Sequence, residues 1–152
     1  MQGQDRVSLA LATWFGCGRS PLSPGTVGSL GALPLHFALR ALGPTAYVLG
    51  TLTTLGVGVW ASQRTAEALG EKDPQSVVID EVLGTLIAMG LCRGRSLRAE
   101  LLALVLFRVF DITKPGIIDK AQHLKPDGVG IMADDVLAGL IAGLLSRLVS
   151  AR

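Results

Sequence analysis

The sequence predicts an all-α protein: a single multihelical bundle spanning residues 1–152, partly embedded in a membrane or packed against one. Three observations carry that expectation. Apolar residues recur with a period near 3.6, and Gly, Ala and Leu outnumber the β-branched residues that favour strands. Hydrophobic residues make up 49% of the chain and charged residues only 17%, with a mean hydropathy of +0.50, more apolar than an ordinary water-soluble domain. The charges that do occur gather at the ends of the apolar segments. A length of 152 residues suits one domain with one core.

Taken in order, residues 7–15 suit a short amphipathic helix. Gly16, Gly18, Pro21, Pro24 and Gly25 then break the pattern, so the stretch from Gly16 to Thr26 reads as a shaped loop. Val27 to Leu42 is apolar with Pro34 and His36 inside it, which predicts an interrupted helix. From Ala41 to Gln63 there is no charged residue, and roughly 20 apolar residues suffice to cross a bilayer, so this is the expected span. Val82–Cys92, Leu101–Phe107 and Val136–Ser146 are shorter and suit core or interfacial helices. Arg93, Arg95 and Arg98 crowd the connection after Cys92. They fit either a solvated turn or a contact with anionic headgroups, and in a spanning protein they would mark the cytoplasmic side.

Composition also excludes. A net charge of +2 and 5% aromatic residues leave neither the basic surface nor the stacking platforms of a nucleic-acid-binding protein. Cys17 and Cys92 lie far apart without metal-ligand spacing and read as idle thiols. The N-terminus has no basic segment followed by a cleavage site, so no cleaved signal is expected. Neither a Cys-and-Arg thiol phosphatase motif nor an Asp-x-Asp pair is present. Of the two imidazoles, His36 sits in an apolar run as a satisfied core residue and His123 reads as exposed.

The candidate site lies in the acids. Asp134 and Asp135 stand at the mouth of an uncharged helical pattern, and Asp80 and Glu81 repeat the arrangement: paired acids, then Val-Leu, then a nearby Gly. One such pair would be an ordinary helix-start feature. Two pairs, with Asp111 in the equally apolar segment 107–115, place five carboxylates where burial is expected, and their repulsion calls for a cation. Oxygen donors without His or Cys select a hard ion, Mg²⁺ first. Arg108, Asp111 and Lys114 fall near one face where a helix ends before Pro115, so cations beside acids could hold a phosphate between them. A loop rich in Gly, Pro, Ser and Thr, from Ser20 to Ser29, leads into a helix, and its backbone N–H groups with Gly25, Thr26 and Ser29 could cradle that phosphate.

Four blocks in this order resemble the phosphatidylglycerophosphatase A family: residues 23–30 (Ser-Pro-Gly-Thr-Val-Gly-Ser-Leu), 77–84 (Val-Val-Ile-Asp-Glu-Val-Leu-Gly), 107–115 (Phe-Arg-Val-Phe-Asp-Ile-Thr-Lys-Pro) and 130–139 (Gly-Ile-Met-Ala-Asp-Asp-Val-Leu-Ala-Gly). The chain departs from the family between Gly116 and Val129, where the aromatic residue and second proline usual after Lys114-Pro115 are replaced by Gly116-Ile117-Ile118. The resemblance implies a Mg²⁺-dependent, membrane-associated phosphatase of multihelical fold that converts phosphatidylglycerophosphate to phosphatidylglycerol. On that expectation Asp80, Glu81, Asp111, Asp134 and Asp135 hold one or two ions that activate water, and Arg108 and Lys114 offset charge on the phosphoryl oxygens. Gly25, Thr26, Ser29 and Lys114 position the phosphate, and the partner is an anionic phospholipid in the bacterial cytoplasmic membrane, with the site on its cytoplasmic side. A homo-oligomer is compatible with all of this. Two alternatives stand: the same chemistry on another lipid phosphate, and a non-enzymatic carboxylate-lined membrane protein that binds or conducts divalent cations.

Overall fold

Proline and glycine set the helix boundaries. In the computed structural model, which describes residues 3–150, the chain forms α1 (Gly3–Ala12), α2 (Pro24–Gly31), α3 (Leu33–Leu42), α4 (Pro44–Leu69), α5 (Ile79–Leu91), α6 (Leu97–Thr113), α7 (Ile117–Ala121) and α8 (Asp127–Val149). There is no strand among the described residues, as the sequence predicts. Pro24 and Pro44 open α2 and α4 at the position where a missing N–H costs nothing. Gly70, at φ 69°, closes α4 in the left-handed conformation that glycine adopts freely. Ser96 caps α6 by accepting from the Ala99 amide at 3.3 Å. Lys114, at φ 43° before Pro115, ends it.

The centre of the bundle is α5 against α8. Nearly every residue of α5 from Val82 to Met89 is buried, and α8 packs on α4, α5, α6 and α7. Glycines make the central contact close. A Cβ on Gly139 would lie 2.7 Å from the Gly84 carbonyl oxygen, and one on Gly143 would lie 2.8 Å from that of Ala88. The outer faces stay apolar and uncovered, with Val48 and Leu52 on α4, Val105 and Ile112 on α6, and Leu144 and Leu148 on α8 all at least half exposed.

Several expectations need correction. The interrupted helix over 27–42 is two helices, but the first begins at Pro24, so Gly25, Thr26 and Ser29 lie within α2 and not in a loop. Asp134 and Asp135 are not at a helix mouth: α8 begins at Asp127 and carries them two turns in. Among the described residues the helix long and apolar enough to cross a bilayer is α8, with 56% of its apolar window buried inside the bundle. The charge-free stretch Ala41–Gln63 falls short because Thr45, Thr51, Thr53, Thr54 and four glycines dilute it.

Arg95 and Arg98 are exposed at the far end of α6 from Asp111, roughly 20 Å along the helix.

His36 is the satisfied core residue expected. Its Nδ1 lies 2.7 Å from the Tyr47 hydroxyl and its Nε2 lies 2.9 Å from Oε2 of Glu100, which is fully buried and also 3.4 Å from Arg40. His123 is exposed, and Cys17 and Cys92 are both free thiols.

Candidate active site

Three helix segments converge on one acidic cluster. The first turn of α5 supplies Asp80 and Glu81, the last turn of α6 supplies Asp111 with Arg108 one turn before it, and α8 supplies Asp134 and Asp135. One carboxylate oxygen from each of Asp80, Glu81 and Asp135 lies within 4.8 Å of the other two. The same holds for Asp111, Asp134 and Asp135, so Asp135 belongs to both groups. All five predicted acids thus meet, although they come from three distant parts of the chain.

Both predicted cations join them. Arg108 pairs with Asp111, stands 3.8 Å from Glu81 Oε1, and donates to the Thr26 hydroxyl at 3.5 Å. Lys114 pairs with Asp134 and donates to Gln122 Oε1 at 3.2 Å. Its left-handed backbone turns the side chain back toward α8. A cleft of about 400 Å³ opens over Gly25, Asp80, Glu81, Arg108, Asp111 and Lys114.

The α2 residues divide. Gly25 lies against the site, since a Cβ there would be 2.2 Å from Glu81 Oε1 and 3.0 Å from Arg108 Nη2 and would push both side-chain ends aside. Thr26 reaches Arg108, and its hydroxyl shares a 2.7 Å hydrogen bond with Ser23. Ser29 is buried, and its hydroxyl bonds back to the Gly25 carbonyl at 3.0 Å, away from the other site residues. Two residues that sequence reasoning missed border the site: Gln122, held by Asp119 and bonded to Lys114, and Asp73, on the rim of the cleft. Neither has a local sequence signal.

The electrostatics are unbalanced. Five carboxyl groups face two cations, with Asp111, Asp134 and Asp135 buried and Asp80 and Glu81 half-buried. Burial pushes the Asp80 carboxyl well above the usual carboxylate range, and the charges of Glu81 and Asp135 push it further. Burial also raises Glu81, partly offset by its bond to Asp80 and by Arg108. For Lys114, burial pushes the ammonium down, but the bond to Asp134 and the charges of Asp134, Asp135 and Asp111 outweigh it and hold it above the ordinary lysine range. Four carboxylate oxygens, Asp80 Oδ1, Glu81 Oε2, Asp134 Oδ1 and Asp135 Oδ2, are buried with no hydrogen-bond partner. Unpaired buried acceptors are costly, and here they point to a ligand.

Fold and site together define an all-helical protein with an acidic centre suited to a hard cation, bordered by Arg and Lys where an anion would enter. Comparison with known proteins makes this specific. The profile of the phosphatidylglycerophosphatase A family matches residues 10–150, and the chain belongs to that family. It is 36% identical to phosphatidylglycerophosphatase A of Escherichia coli (89% of this chain, 79% of the relative) and 37% identical to that of Haemophilus influenzae (87% and 82%). It is also 39% identical to a Bacteroides thetaiotaomicron protein provisionally named a phosphatidylinositol-3-phosphatase (95% and 94%). No solved structure matches the chain.

Proposed function

We propose that the chain hydrolyses phosphatidylglycerophosphate to phosphatidylglycerol and inorganic phosphate with Mg²⁺ held by the buried acids. Membership of the family makes it a phosphoric monoester hydrolase. The observation that carries the finer reading is the convergence of five carboxylates with four orphaned oxygens beside Arg108 and Lys114. These residues fit the ion: the donors are all oxygen, the excess of negative charge calls for a divalent cation, and Asp135 can serve two positions. Asp80, Glu81 and Asp135 would hold one ion, and Asp111, Asp134 and Asp135 a second. Mg²⁺ bound there would polarise a phosphoryl oxygen and acidify water.

The chain's own residues supply the rest. Arg108 and Lys114 line the cleft and present N–H donors to the phosphoryl oxygens, where charge grows in the transition state. Gly25 keeps α2 near Glu81 and Arg108 without blocking the cleft, and Thr26 holds Arg108 in place. The uncovered apolar faces of α4, α6 and α8 suit a membrane, here the bacterial cytoplasmic membrane, with the cleft at headgroup level.

A second reading, the same chemistry on a phosphoinositide, is favoured by the name of the Bacteroides thetaiotaomicron relative. Phosphate release by purified protein from each lipid, after chelation and after Mg²⁺ is restored, tests both. Faster Mg²⁺-dependent release from phosphatidylglycerophosphate is expected. Release that persists in chelator would end the metal scheme, and preference for the phosphoinositide would replace the substrate.

A further inference from the structure

Two more cavities follow the catalytic cleft, the first sharing a lining residue with the cleft and the second sharing one with the first. A cavity of about 390 Å³ is lined by Lys72, Asp73, Gln122, His123, Lys125 and Asp127, with Leu124 and Ile131 completing its wall. Asp73 is common to this cavity and the catalytic cleft, and the Lys114–Gln122 bond joins a side chain of the cleft to a side chain of the cavity. Beyond it an apolar groove of about 340 Å³ runs between α4 and α8, lined by Leu55, Val59, Leu124, Met132, Val136 and Leu137 among others, with no polar side chain in its wall. Leu124 is common to the polar cavity and the groove. The order is therefore fixed: a carboxylate-and-cation cleft, a cavity carrying Lys72, Lys125 and His123, then a dry slot on the outer face of the bundle.

That order matches one chemical object. A diacyl glycerophospholipid with a terminal phosphomonoester presents a second, diester phosphate across a short polyol bridge, and acyl chains beyond that. We propose that the three cavities form one substrate track, resting on the phosphatase reading above, with the diester phosphate against Lys72 and Lys125 and an acyl chain in the α4–α8 groove. Lys72 is exposed and makes no ion pair among the described residues, so its charge is available to an anion. Lys125 pairs with Asp127 at the start of α8 and can offer its remaining hydrogens. The groove lies on the outer, apolar side of the bundle, so a chain could enter it from a bilayer without crossing water.

The track predicts that these residues separate lipid from soluble substrates. The test measures kcat/KM on dioleoyl phosphatidylglycerophosphate in mixed micelles and on water-soluble p-nitrophenyl phosphate, both with Mg²⁺, for the wild type, for Lys72→Glu with Lys125→Glu, and for Val136→Trp, which fills the groove. The ratio of lipid to soluble activity is expected to fall roughly tenfold or more in both variants, through KM on the lipid. Equal losses on both substrates, or no loss, would overturn the track. A wild type inactive on the lipid would instead fail the phosphatase reading. The track is then read separately, by photo-crosslinking phosphatidylglycerol that carries a diazirine on its acyl chain. Crosslinks concentrated at Leu55, Val59 and Val136, and weakened by the double lysine reversal, support it. Crosslinks spread evenly over the apolar faces of α4, α6 and α8 refute it.

Discussion

Asp135→Asn should stabilise the ion-free protein while abolishing its activity. Asp135 is common to both groups of acids, it is 1% exposed, and asparagine keeps its shape while removing its charge. Two full charges 4.8 Å apart repel by about 3.5 kcal/mol at an effective dielectric near 20. The burial-raised carboxyl of the neighbouring Asp80, and the positive charges of Arg108 and Lys114, reduce what Asp135 feels. A net gain of about 1–3 kcal/mol follows for the variant in chelator. For 152 residues that corresponds to a rise in Tm of roughly 3–10 °C. Mg²⁺ reverses the order: at a hundredfold excess over its Kd it adds about 2.7 kcal/mol to the wild type and little to the variant. Phosphate release should fall by about 10² or more. Thermal unfolding in detergent, with EDTA and with Mg²⁺, reads the first effect, and a phosphate-release assay reads the second. A variant that melts below the wild type in EDTA, or that keeps its Mg²⁺-dependent activity, would refute the account of the acids as a strained, cation-seeking cluster.

Because burial raises the Asp80 and Glu81 carboxyls, the folded ion-free protein binds more protons than the unfolded chain. Its stability should be fullest below the unfolded value of 3.8 for Asp80 and fall as pH rises through the raised folded value; flat stability in EDTA between pH 4 and 7 would contradict this. Over the same interval Mg²⁺ affinity should rise with proton release, measurable by calorimetry in buffers of different ionisation enthalpy. Arg108→Lys keeps the charge but cannot span Glu81, Asp111 and Thr26 at once, so kcat/KM should drop about 10- to 100-fold; wild-type kinetics would show that charge alone suffices. Gly84→Ala would place a methyl 2.3 Å from the Phe107 ring and 3.1 Å from the Asp135 carbonyl oxygen, lowering stability in denaturant by about 1–3 kcal/mol and reducing activity with it.

What the sequence revealed was the chemistry that has a local signature. The all-α class followed from periodicity, the break between α2 and α3 from Pro34, and the candidate site from acids in apolar company. The start of α8 was hidden because Gly128 and Gly130 resemble loop residues. In the fold they are needed for packing: a Cβ on Gly128 would lie 2.4 Å from the Val59 carbonyl oxygen, and one on Gly130 would lie 2.5 Å from that of Gln122. Pro24 was read as a breaker when it is the first residue of a helix. Glu100 gave no sign of burial, since its partner His36 lies 64 residues away and only the packing of both α3 and α6 against α5 brings the two together. Asp73 was invisible for the same reason, and Gln122 because the turn through α7 that folds it back onto Lys114 has no distinctive pattern.

The repeated pattern of acids followed by Val-Leu and Gly has one physical explanation that covers both fold and site. Asp80 precedes Gly84 by four residues, and Asp135 precedes Gly139 by four, so in each helix the carboxylate and the glycine share a face one turn apart. The glycines let α5 and α8 approach until Gly139 meets the Gly84 carbonyl. That same seam, one turn toward the start of each helix, brings Asp80 and Asp135 within ligand distance of each other. Larger residues at the glycine positions would part the helices and relieve the repulsion between the acids, yet would also dissolve the site. Close packing at Gly84 and Gly139 thus holds together charges that would otherwise separate, and a bound divalent ion would return in attraction what that confinement costs.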